Sequence, residues 1–74
     1  MKDDIRVFIA DDHPIFRKGL RNVIESTEGV TLQGEATDGD TALRLIEELV
    51  PDIAIVDVNM PGMSGIDVAK AVQA

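Results

Sequence analysis

Along this chain, short strand-like runs alternate with helical stripes three times. Arg6-Val7-Phe8-Ile9-Ala10 is apolar and β-branched and stops at Asp11-Asp12. A short run without alternation predicts a strand buried on both faces. Pro14 follows, placed for the first turn of a helix, where its missing N–H costs nothing. Ile15, Phe16, Leu20, Val23 and Ile24 then share one stripe with Gly19, opposite Arg17, Lys18, Arg21, Asn22 and Glu25. The expectation is a helix with its basic side in water, ended by Gly29. Val30-Thr31-Leu32-Gln33-Gly34-Glu35 alternates as a half-exposed edge strand does.

The second half repeats the scheme. Asp38-Gly39-Asp40-Thr41 is a helix-start signal with Asp38 as the cap. Ala42, Leu43, Ile46, Leu49 and Val50 form the stripe, and Pro51-Asp52 stops it. Ile53-Ala54-Ile55-Val56 is continuously apolar, as a central strand of a parallel sheet is, and it ends on Asp57. Ser64 with Asp67 three residues on resembles a capping box, opening a third helix that runs to Ala74.

The order β-α-β-α-β-α with short loops predicts an α/β fold: a doubly wound parallel sheet with right-handed crossovers and strand order 2-1-3. Nothing in these residues covers the far edge of the third strand. Residues 1–74 are therefore expected to be the first three β-α units of a larger, flavodoxin-like domain. An exposed apolar strand edge templates pairing, so self-association through the third strand is expected.

Composition narrows the classes. The chain has 74 residues, enough for one small domain, and 45% of them are hydrophobic, too many for a disordered tail. There is no cysteine, which excludes disulfides and thiolate metal sites. Fourteen acidic residues against seven basic ones give a net charge of -7, a surface that repels phosphate backbones. Phe8 and Phe16 are the only aromatics, so there is no stacking platform for bases. No signal peptide or membrane-length apolar run is present, and a soluble, cytoplasmic chain without membrane contact is expected.

Charge placement supplies the candidate chemistry. In open parallel sheets, ligands gather at the carboxyl ends of strands where the strand order reverses. With order 2-1-3, Asp11 and Asp12 at one strand tip face Asp57 at another. Carboxylates held close together call for a cation, and magnesium takes oxygen ligands from one or two carboxylates plus phosphate oxygens. A metal-dependent phosphate site follows. Asp3, Asp4, Asp38, Asp40, Asp52 and Asp67 lack this convergence and are assigned to solvated or capping positions. His13, the only histidine, offers no zinc cluster and is expected to pack or hydrogen-bond beside the acidic pair. Gly62-Met63-Ser64-Gly65-Ile66 is no nucleophile elbow, because Ile66 stands where glycine is needed. A calcium loop begun at Asp57 would end on Val68, where glutamate is needed.

Asp11-Asp12 after a strand, Asp57 at the tip of the third, and the stretch DVNMPGMSG after it resemble the receiver domain of bacterial two-component response regulators. ADDHPIFRKGL further resembles the LuxR/NarL-type subfamily, whose receivers precede a helix-turn-helix DNA-binding domain. The resemblance implies that Asp57 is the phosphoacceptor, charged by a sensor histidine kinase or a small acyl phosphate. It implies that Asp12 is a direct Mg2+ ligand and that Asp11 acts mainly through water. Asn59 would lend the metal its backbone carbonyl, while Pro61, Gly62 and Gly65 shape the rim. It implies a phosphorelay transducer rather than an enzyme, reaching DNA only through an output domain beyond these residues. The Thr or Ser and the Lys that receivers carry on later strands also lie beyond residue 74.

Two other readings compete. A haloacid-dehalogenase-type phosphatase also uses a strand-tip Asp and magnesium, but it needs an acid two residues on, where Asn59 is neutral. A structural or dimerisation fragment with a non-functional site would differ in failing to titrate with magnesium and a phosphoryl analogue.

Overall fold

The computed structural model describes residues 4–73. Asp3 and Ala74, each given a place by the sequence reading, lie outside the described residues. The elements run β1 (Ile5–Ala10), α1 (Pro14–Glu25), β2 (Val30–Ala36), α2 (Gly39–Leu49), β3 (Ile53–Val56) and α3 (Gly65–Gln73). The strands form one sheet in the order β2-β1-β3 with both pairings parallel, as the sequence pattern predicts.

Alternation along β1 sends side chains to two cores. Phe8 and Ala10 join Ala36, Ala42, Ile46, Met60 and Val68 beneath α2 and α3. Val7 and Ile9 join Ile24, with Leu20, Val30 and Leu32 against them, beneath α1. Phe8, Ile9 and Val68 are the largest fully buried side chains. Full burial of such a side chain contributes about 1.5–3 kcal/mol, so β1 is the strand that anchors everything else.

Strand β2 does not keep the simple alternation expected of it. Val7 pairs with Leu32 but Phe8 pairs with Gly34, so Gln33 is an extra residue in the ladder. This bulge reverses the faces that follow. Leu32 lies against the α1 core, whereas a Cβ on Gly34 would sit 3.1 Å from Leu49 and 3.2 Å from Phe8, on the α2 side. Glu35 is thereby turned toward α1. Gly34 is the sequence signal for it, since an isolated glycine inside a strand pattern marks a bulge or a close approach.

Helix α1 corrects the reading more strongly. Its stripe residues Ile15, Phe16 and Val23 are 89%, 56% and 63% exposed, and only Ile24 is buried. The expected solvated basic side is instead turned toward the sheet. Arg17 Nε meets Glu35 Oε1 at 3.0 Å, and Arg21 Nε lies 3.5 Å from Glu35 Oε2. Lys18 alone of the three is exposed.

Helix α2 follows its prediction except at the end. Asp38 accepts a hydrogen bond from the Thr41 N–H at 2.8 Å, as the cap should. Leu45, omitted from the predicted stripe, packs against the core, while Val50, included in it, is 64% exposed with φ 47. The residue before a proline is disfavoured in the α region, so Pro51 ends the helix one residue earlier than the stripe suggested. The Gln33 side chain donates to the Leu49 carbonyl at 3.0 Å and closes that end. Ser64 and Asp67 do cap α3: the Asp67 N–H donates to Ser64 Oγ at 3.2 Å, and that hydroxyl donates to Asp67 Oδ2 at 3.1 Å.

Strand β3 pairs only with β1 among the described residues, leaving Ile53 49% and Ile55 38% exposed. The expected open apolar edge is present.

Candidate metal centre

Backbone bonds at the strand tips fix the site. The Asp57 N–H donates to the Ala10 carbonyl at 2.8 Å, and the Asp11 N–H to the Ala36 carbonyl at 3.1 Å. Each carboxylate therefore hangs from a residue already tied into the parallel ladder. One ligand atom each of Asp11, Asp12, His13 and Asp57 lies within 4.8 Å of the others. The three acids singled out in the sequence converge as expected.

Their environments differ. The Asp11 side chain is 7% exposed, Asp57 20%, Asp12 33% and His13 67%. Asp11 Oδ1 accepts from the backbone N–H of His13 at 2.8 Å and contacts its ring Nδ1 at 2.7 Å. Burial alone would raise the Asp11 pKa. The two His13 hydrogen bonds, the His13 charge and the nearby Arg17 outweigh that burial and hold it below the ordinary carboxylate value. His13 is held above its usual value, first by its hydrogen bond to Asp11 and then by the charge of Asp12. Its placement beside the acidic pair agrees with the sequence reading.

Asp12 Oδ1 and Asp57 Oδ2 are buried atoms without a hydrogen-bond partner. Leaving a buried acceptor unsatisfied costs about 1–3 kcal/mol. Both oxygens come near His13 Nδ1, at 3.2 and 3.4 Å. A set of hard oxygen donors with two unpaired atoms aimed at one space fits a divalent cation such as Mg2+.

The loop after β3 shapes the rim. The Asn59 N–H donates to Asp57 Oδ1 at 3.2 Å, using one of the acceptor's two oxygens and leaving Oδ2 to the acidic centre. The Pro61 carbonyl accepts from the Gly39 N–H at 3.2 Å, and Gly62 has φ 75, which favours glycine. A side chain on Gly65 would collide with the Asp57 carbonyl. Of the three loop residues singled out in the sequence, Gly65 lies directly against Asp57, while Pro61 and Gly62 lie against Gly39 and Asp40 at the start of α2.

Two contributors escaped that reading. Arg17 donates from Nη1 to the Asp11 carbonyl at 3.0 Å, tying the acidic turn to α1. Its partner Glu35 faces it only because of the bulge at Gln33. Gly39 lies against the site loop so closely that a Cβ would collide with the Met63 carbonyl. Its place between Asp38 and Asp40 was legible only as a helix start.

A parallel sheet with carboxylates at the two strand tips beside its order reversal defines a doubly wound α/β domain built around an acidic centre. The chain belongs to the response regulator receiver domain family, whose sequence model matches residues 7–74. It is 45% identical over 71 residues to the "probable transcriptional regulatory protein NarL" of Mycobacterium tuberculosis, covering 96% of this chain and 33% of that protein. It is 39% identical over 61 residues to the nitrate/nitrite response regulator protein NarL of Escherichia coli, covering 82% and 28%. The solved signal receiver domain of the putative response regulator NarL from M. tuberculosis superposes with a TM-score of 0.94 at 44% identity, covering 97% of this chain and 58% of that one. The chain spans about a third of the length of the curated relatives it matches. The NarL/LuxR-type assignment and the flavodoxin-like order 2-1-3 are both borne out.

Proposed function

We propose that Asp57 is the phosphoacceptor of a two-component phosphorelay and that Asp11, Asp12, Asp57 and the Asn59 carbonyl hold Mg2+. Support comes above all from the paired orphan oxygens, Asp12 Oδ1 and Asp57 Oδ2, facing one space at the strand tips. In this reading an Asp57 oxygen attacks the phosphorus of a phosphohistidine in line. The P–N bond breaks, the imidazole leaves with the electron pair, and an acyl phosphate forms on Asp57. Bound Mg2+ offsets charge on the phosphoryl oxygens. The protein's own part is to hold Asp57 firmly: its N–H is fixed to Ala10, its Oδ1 to Asn59, and its carbonyl lies against Gly65.

Residues 1–74 then form the N-terminal part of a receiver domain that is a signal transducer, not an enzyme. Its partners are a sensor histidine kinase and, through an output domain outside these residues, DNA. A cytoplasmic setting belongs to the same reading; among the described residues no helix is long and apolar enough to cross a membrane. The open β3 edge adds self-association to the expected partners.

The test is intact-mass analysis after incubation with a small acyl phosphate and Mg2+. One phosphoryl adduct is expected, absent from Asp57→Asn. Undiminished phosphate on that variant would remove Asp57 from the role.

A further inference from the structure

The one imidazole of the chain occupies the space that the orphan oxygens share. His13 Nδ1 is 2.7 Å from Asp11 Oδ1, 3.2 Å from Asp12 Oδ1 and 3.4 Å from Asp57 Oδ2. Every one of these neighbours is a carboxylate oxygen, which accepts and cannot donate. The 2.7 Å contact is therefore a hydrogen bond only if Nδ1 carries the proton, an assignment made from its partners. An Nδ1–H has no lone pair in the ring plane to give a metal. It points a positive dipole at the same oxygens that a cation needs.

From this geometry we infer that His13 is a place-holder for the metal: its ring occupies the acidic centre when no cation is bound and swings into water when one enters. The inference rests on the metal-site reading above and adds the device that keeps the site closed. The local structure makes the swing cheap. His13 is the N-terminal cap residue of α1, yet its side chain makes no capping hydrogen bond. Its ring is already 67% exposed, and its backbone N–H keeps Asp11 Oδ1 at 2.8 Å whichever way the ring points. Pro14 at the first helical position fixes the chain just beyond it. Only a side-chain torsion has to change.

The place-holder lowers apparent metal affinity by the fraction of molecules in which the ring is in place. A hydrogen bond of ordinary net strength to a charged acceptor makes that a factor of roughly ten to a hundred. His13→Ala removes the ring and no capping bond, so by calorimetry it should bind Mg2+ that much more tightly than the wild-type chain. Asp12→Ala, measured alongside, should abolish binding. The chain has one histidine, so imidazole nitrogen resonances report on His13 alone. In the wild-type chain, Mg2+ should move them to the positions of a freely solvated ring, with the midpoint found by calorimetry. Should the His13→Ala protein not fold, this wild-type titration decides alone. Equal Mg2+ affinity in wild type and His13→Ala, with Asp12→Ala inactive, would overturn the place-holder and leave the metal site standing. Weaker binding by His13→Ala would make His13 a ligand instead. Ring signals unmoved at Mg2+ saturation would overturn the swing, and no binding by any of the proteins would overturn both inferences.

Discussion

Ile46 of α2 and Val23 of α1 both belong to the apolar stripe of an amphipathic helix, yet Ile46 is 7% exposed and Val23 63%. The stripes are equally clear in the sequence. What differs is the neighbour each helix meets. The stripe of α2 lies over Phe8, Ala36 and Val68, so its periodicity and its packing agree. Helix α1 reaches the sheet through Leu20 and Ile24, and beside them it sets two guanidinium groups against Glu35. The stems of such side chains cover apolar surface as well as carrying charge. A stripe therefore says which side of a helix is apolar, whereas the register of the strand beneath decides which side is held.

The largest effect expected from this contrast is in core truncation. Ile46→Ala should destabilise by about 2–5 kcal/mol, as buried aliphatic truncations do. Val23→Ala should stay within about 0.5 kcal/mol, as exposed substitutions do. Urea unfolding of the two variants at one protein concentration gives the comparison directly. A Val23→Ala cost that rose toward that of Ile46→Ala, and grew with concentration, would mean that the α1 stripe is covered by another copy in solution.

A second contrast uses glycines in the same two helices. Nothing lies within 4 Å of a Cβ placed on Gly19 in α1, whereas one on Gly39 in α2 would strike the Met63 carbonyl. Gly19→Ala should stabilise by about 0.5–1 kcal/mol, the usual gain for alanine over glycine inside a helix. Gly39→Ala should cost about 1–3 kcal/mol, as overpacking does, and it should move the loop that carries Met60 to Met63. Thermal melts of both variants, with amide shifts of residues 57–65, check the pair. Effects of opposite sign, the larger at Gly39, would support the contrast, and a neutral Gly39→Ala would show that the site loop yields freely.

Much of this arrangement was legible in the chain. Asp11, Asp12 and Asp57 stand out because a period-free apolar run ends on each of the two strand tips, and strand order then brings the tips together. Asp38 and Ser64 were legible because capping is local chemistry, settled within three residues. The parts that were not legible depend on distant registers. The bulge at Gln33 is set by how β2 meets β1, and it alone turns Glu35 toward Arg17. Gly39 gives no local sign that Met63 will lie against it, 24 positions along the chain. Val50 was read by periodicity when the proline after it, a local steric constraint, was the stronger signal.

The smallest effect lies in how the two helices begin. Helix α2 opens on a titratable cap, since Asp38 accepts from Thr41 through both N–H and hydroxyl, at 2.8 and 3.0 Å. Helix α1 opens on His13 with no side-chain capping bond and no acid in its first turn. The Thr41 N–H, the largest cause, holds the Asp38 pKa below its ordinary 3.8. A depressed folded-state value makes the carboxylate stabilising above the unfolded pKa, with the contribution lost as pH falls through the folded one. The advantage of wild type over Asp38→Asn should therefore be flat above 3.8 and shrink below it, because asparagine caps about as well but does not titrate. The amide resonance of Thr41 should follow the same acid transition with a midpoint below 3.8, while that of Arg17, bonded to the His13 carbonyl at 2.9 Å, should be insensitive to Asp38→Asn. A Thr41 midpoint above 3.8 would mean that the cap is not held in solution, and α2 would then begin no more firmly than α1.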